Sequence, residues 1–184
     1  MPKTALVILA EGFEELEAVA SVDVLRRSGV NVTIAGVANL LVKSSRGIGI
    51  QADMFMKDVK DIFDAVILPG GLPGATNLAR SKEVAALIKK MNAAGKMVAA
   101  ICAAPAVVLA PLGILDGKHA TCFPGCESDF SNKTVYSPDS VVVDGNIITS
   151  RGPGTALEFA LTVAARLVGK ETADTVREKM LARV

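Results

Sequence analysis

The chain has 184 residues, 51% of them hydrophobic, with 20 basic against 19 acidic side chains and three cysteines. This composition excludes a disordered chain and predicts one domain, residues 1–184, with a sizeable core. A net charge of +1 gives no electrostatic ground for nucleic acid or an anionic membrane as partner, and no apolar run is long enough to span a bilayer.

Ala5-Leu6-Val7-Ile8-Leu9 is a continuous apolar run, the pattern of a parallel strand covered on both faces. A helix over 13–27 follows, closed by Gly29, and a second strand over 30–35. This β-α-β opening implies a right-handed crossover and a doubly wound, mostly parallel α/β sheet with helices on both faces. Residues 40–53 read as a hairpin appended to that sheet. The strand 64–68 runs into a loop, Pro69-Gly70-Gly71-Leu72-Pro73-Gly74. Ser81 then caps a helix to residue 94.

Strand 97–101 turns at Cys102 into a helical run over 106–109. Beyond it come a strand over 119–122 and a hairpin of 140–143 with 146–149 joined by Asp144-Gly145. Thr155 and Glu158 form a capping box for a helix to residue 168, and a polar helix covers 171–182. The opening Met1-Pro2-Lys3-Thr4 lacks a signal-peptide layout, and three cysteines suit a reducing compartment, so a cytoplasmic protein is expected.

A turn residue between a strand and a helix lies at the carboxyl edge of the sheet, where open α/β sheets bind ligands. The free N–H groups of a helix start favour negative charge there. Cys102 is therefore a candidate nucleophilic or redox-reactive thiolate, against the alternative of a buried structural cysteine. Its candidate partner is Glu17, in helical phase with Phe13, Ala20 and Val24, whereas Glu15 falls on the side of Arg26 and should face solvent. Burial raises a carboxyl pKa, so Glu17 can hold a proton near neutrality, and the two groups titrate as a pair. Gly70 and Gly71, with the N–H of Ala103, are candidate oxyanion donors.

His119 is the single histidine and reads as exposed, and Ala103 follows Cys102, so a cysteine-protease arrangement has no base. Cys122 and Cys126 are spaced C-x3-C without a second ligand pair, so no zinc site is expected. The glycine loop matches neither a P-loop nor a dinucleotide fingerprint. On residue type alone, Arg46 and Arg26-Arg27 are solvated charges.

Four motifs together resemble the ThiJ/PfpI superfamily, in the branch of the Parkinson-disease deglycase and its bacterial relatives. They are Ala5–Ala10 with Gly12, Glu14, Glu15 and Glu17; Val66-Ile67-Leu68-Pro69-Gly70-Gly71; Ala99-Ala100-Ile101-Cys102-Ala103-Ala104-Pro105; and Thr149-Ser150-Arg151-Gly152-Pro153-Gly154-Thr155. The resemblance implies a flavodoxin-like fold and a homodimer. It implies a reactive Cys102 that oxidises to a sulfinate, hydrogen-bonded to Glu17, with Gly70, Gly71 and Ala103 as backbone donors. It further implies that Arg46, joined by Arg27, reaches a neighbouring subunit's pocket, with Phe123 and Pro153 also at the pocket. The implied activity is cofactor-free conversion of methylglyoxal or glyoxal to the hydroxy acid, or removal of their early adducts. A role as an oxidative-stress sensor or chaperone is the alternative. Phe123 stands where some members carry a histidine before the proline, so proton transfer falls to Glu17. Ser44 stands where vertebrate members have a further cysteine, and Ala103 speaks against peptidase chemistry.

Overall fold

A computed structural model describes residues 2–184. In chain order its main elements are β1 (Thr4–Leu9), α1 (Glu15–Arg27), β2 (Asn31–Gly36), β3 (Leu41–Lys43), β4 (Gly49–Gln51), β5 (Met54–Phe55) and β6 (Ala65–Leu68). Then come α2 (Gly74–Arg80), α3 (Lys82–Ala93), β7 (Met97–Ile101), β8 (His119–Ala120), β9 (Val135–Tyr136), β10 (Val141–Asp144), β11 (Ile147–Ser150), α4 (Ala156–Val168) and α5 (Lys170–Lys179).

Seven strands form the central sheet in the order β10-β11-β7-β6-β1-β2-β5, parallel except for β10. This is the expected doubly wound, flavodoxin-like arrangement. Its central strands are apolar throughout because both faces are covered. Ala5, Val7 and Leu9 of β1 enter one core with Phe13, Val24 and Phe159. Leu6 and Ile8, pointing the other way, enter a second core with Leu78, Ile88 and Met91. The same alternation runs through β6 and β7: Ile67, Ala99 and Ile101 face the first core, and Val66, Leu68, Val98 and Ala100 the second. Among the described residues no helix is long and apolar enough to cross a membrane.

Several local expectations are corrected. The 40–53 hairpin exists as β3 and β4, but it forms its own two-stranded sheet, and Met54–Phe55 adds an unpredicted parallel edge strand beside β2. Helix α2 begins inside the Gly/Pro-rich loop. The helix after Cys102 is one wide turn, Pro105–Leu109, followed by a tight turn Ala110–Leu112; Pro111 cannot continue an α-helix. The strand expected over 119–122 is only His119–Ala120. The late hairpin turns at Gly145-Asn146, since Asp144 pairs with Ile147. The capping box at Thr155 does not form: its hydroxyl lies 2.7 Å from Ser150 Oγ and accepts from the Gly152 N–H at 3.2 Å. The last helix stops at Lys179 rather than residue 182.

Candidate active site

The site lies at the carboxyl ends of β1, β6 and β7. After β1 the chain turns at Gly12 and enters α1 through Glu14, whose carboxylate accepts from the Glu17 N–H at 2.9 Å. That cap points Glu17 inward from the first helical turn, and the residue is fully buried. Glu17 Oε2 accepts from the Gly70 N–H at 2.7 Å, while buried Oε1 has no hydrogen-bond partner. The Cys102 thiol neighbours this carboxyl. Burial, helped by the nearby Glu14 charge, raises the Glu17 carboxyl from 4.5 to about 7 against the opposing Gly70 bond.

Cys102 occupies the left-handed region, φ 66. Its N–H extends the β7–β11 ladder to the Ser150 carbonyl at 2.9 Å, and its own carbonyl accepts from the Phe123 N–H at 2.8 Å. These bonds hold a conformation that costs an L-residue about 1–2 kcal/mol. Cys102→Gly is therefore expected to be about 1 kcal/mol more stable than Cys102→Ala. Equal urea midpoints for the two variants would contradict a strained elbow.

The expected easy ionisation of Cys102 needs correction. Burial, with the Glu17 charge adding to it, pushes the thiol up to about 12 against the opposing N–H groups of Gly71 and Ala103. The short wide turn that follows is not a full α-helix, which removes the expected dipole. The pair titrates together, and its first proton leaves near neutrality.

The oxyanion donors are also redistributed. The Gly70 N–H is occupied by Glu17, leaving those of Gly71 and Ala103 to face the sulfur. Both glycines are dictated by close approach. A Cβ on Gly70 would lie 2.6 Å from Cys102 Cβ, and one on Gly71, at φ +84, would lie 2.6 Å from the Glu14 nitrogen.

The sulfur opens into a cavity of ≈ 360 Å³. It is lined by Gly71, Leu72, Cys102 and Ala103 together with Glu14, Ser45, Arg46, Phe123, Cys126 and Pro153. Arg46 thus lines its own chain's cavity. Arg27 does not: it pairs with Asp23 at 2.9 Å and lines a separate cavity against α5. Glu15 is buried rather than solvated, because the hairpin folds over it and Ser45 Oγ donates to it at 3.2 Å. His119 is exposed, 3.5 Å from the Asp144 carboxylate. Cys122 is fully buried, and burial pushes its thiol up to about 12. Sequence reasoning missed Glu14, Ser45, Leu72 and Cys126 as cavity residues; the C-x3-C spacing brought up Cys126 only to set a zinc site aside. Among the described residues no three His, Cys, Asp or Glu side chains converge as metal ligands.

Comparison with known proteins finds relatives over nearly the whole chain. The Drosophila melanogaster protein dj-1beta is 47% identical over 184 residues, covering 98% of both chains, and its crystal structure superposes with a TM-score of 0.96. A Caenorhabditis elegans protein named glutathione-independent glyoxalase DJR-1.2 is 39% identical over 177 residues, covering 95% of this chain and 94% of its own. The structure of Toxoplasma gondii DJ-1 in an oxidised form superposes with a TM-score of 0.96 at 38% identity, over 99% of this chain and all of that one. The model of the DJ-1/PfpI family matches residues 3–166, and the chain belongs to that family.

Proposed function

We propose that the protein is a cofactor-free, glutathione-independent glyoxalase of the deglycase type, acting on methylglyoxal, glyoxal or their early adducts. The observation that carries this reading is the buried Glu17 carboxyl, raised to about 7 and neighbouring the Cys102 thiol, which lines a cavity.

In the singly ionised pair the charge rests on Glu17, and passing the Cys102 proton to it gives the thiolate form, which the Gly71 and Ala103 N–H groups face. The sulfur adds to the aldehyde carbon of the 2-oxoaldehyde, forming a C–S bond, and the oxygen takes up a proton as a hemithioacetal. Glu17 carries a proton from that carbon to the neighbouring carbonyl carbon through an enediol, and a thioester of the hydroxy acid results. The Gly71 and Ala103 N–H groups are placed to hold the developing oxyanion. Water cleaves the thioester, releasing the hydroxy acid and restoring the thiol. The reaction adds one water and needs no outside electrons.

Reduced protein with methylglyoxal and no glutathione is expected to form lactate, and Cys102→Ala to lose that activity by at least about 10³-fold. Undiminished turnover in that variant discards the mechanism.

A second reading has its own support. The same two N–H groups that face the sulfur can hold the oxygens of a Cys102 sulfinate, the state expected of an oxidative-stress sensor or redox-regulated chaperone. Either reading includes a homodimer, supported by Leu16 and Val19, which leave an apolar stripe exposed on α1. A single domain in the reducing cytoplasm is consistent with three free cysteines.

A further inference from the structure

The stretch from Phe123 to Asp129 is exposed at every position but one. Cys126 turns inward, packs against the first core and lines the cavity that holds the Cys102 sulfur. One contact ties this loop to the elbow, and a second closes the loop on itself. The Phe123 N–H donates to the Cys102 carbonyl at 2.8 Å, and the Cys126 N–H closes a turn onto the Phe123 carbonyl at 2.9 Å. Between them Gly125 sits at φ +93 with nothing within 4 Å of where a Cβ would stand, and its N–H donates to the Glu127 carboxylate at 2.6 Å.

We propose that Cys126 is the resolving thiol for Cys102, converting an oxidised active-site sulfur into an intramolecular disulfide that thiols can reverse. This rests on the reading of Cys102 as a reactive cysteine. The oxidant is a hydroperoxide. The Cys102 sulfur attacks one peroxide oxygen, the O–O bond breaks, and the products are Cys102 sulfenic acid and water. The Cys126 sulfur then attacks the Cys102 sulfur, the S–O bond breaks, and a second water leaves with the Cys126 proton. Two thiols have lost two electrons to one hydrogen peroxide, and an external dithiol returns them. Without Cys126 a second peroxide carries the sulfenate on to the sulfinate, which thiols do not reverse. Burial together with Asp129 and Glu127 keeps the Cys126 thiol protonated when the site is at rest. Cys122, four residues earlier and fully buried, is the competing thiol.

The test treats the reduced full-length chain with hydrogen peroxide in small molar excess and reads intact mass and non-reducing peptide maps. Wild type is expected to lose the mass of two hydrogens, to show a peptide pair joined through Cys102 and Cys126, and to recover on reduction. Cys122→Ser is expected to form the same link. Cys126→Ser is expected to gain two oxygens at Cys102 instead. A wild-type sulfinate with Cys126 still free, or a Cys122–Cys126 link, overturns the proposal while leaving a reactive Cys102 standing. No oxidation at Cys102 in any variant overturns both. Lactate formation by the reduced wild type reports on the proposed glyoxalase independently of either result.

Discussion

Replacing Glu17 by Gln is expected to make the protein more stable above neutral pH and inactive. The Glu17 carboxyl is raised from 4.5 to about 7 in the folded chain. Below 4.5 both folded and unfolded chains hold this proton, and it has no effect on stability. Between 4.5 and about 7 the unfolded chain has released it and the folded chain has not, so stability falls as pH rises; above about 7 the whole loss is in place. The shift corresponds to about 3 kcal/mol. Gln keeps an oxygen for the Gly70 N–H and carries no charge at any pH, so the variant should escape this fall. Urea unfolding at about pH 4.5 and about pH 8.5 reads the difference directly. Parallel pH dependence in the two proteins would show that the carboxyl is not held neutral. Loss of lactate formation in the stabilised variant would separate the proton's chemical role from any role in folding, the trade expected of a strained site.

Gly70→Ala is expected to have a large effect for a single added methyl group. The added carbon would meet Cys102 Cβ at 2.6 Å, the Ile101 oxygen at 2.9 Å and the Ala103 nitrogen at 3.0 Å. Two of these are backbone atoms of the elbow and cannot rotate away. Overpacking of this kind should cost about 3 kcal/mol, a fall in Tm of about 6–12 °C for a chain of this size. Turnover should fall too, because the Gly70 N–H no longer reaches Glu17. Gly154→Ala, where a Cβ would meet nothing within 4 Å, is the control and should change Tm by no more than about 2 °C. A Tm for Gly70→Ala close to that control would mean that the loop and the elbow are not in contact.

The parts of this site that were legible in the sequence are those set by periodicity. Apolar runs at β1, β6 and β7 place three strand ends together, and helical phase selects Glu17 rather than Glu15 as the inward acid. What remained hidden depends on contacts between distant segments. Glu15 is buried because the hairpin closes over it, and no pattern within α1 records that. The Gly70 N–H is engaged by a carboxylate 53 residues away, so the donor count at the sulfur could not be read from the glycine loop. Gly and Pro around residue 73 concealed the start of α2, and two-residue strands such as β5 carry no period at all. The ionisation of Cys102 was misjudged for a related reason: a strand-to-helix turn suggests a strong dipole, while the actual turn is short and burial dominates.

Gly12, Gly71 and Gly74 bring the start of α1 against the segment after β6, and Gly70 brings that segment against the elbow, with backbone meeting backbone in both places. The acid and the sulfur are thus spaced by main chain, and no intervening side chain adjusts their distance. Phe123, Leu72, Arg46 and Cys126 stand outside that seam. A lineage carrying this fold is therefore free to reshape the mouth, altering which aldehydes are admitted, while the acid–thiol spacing passes unchanged from one descendant to the next.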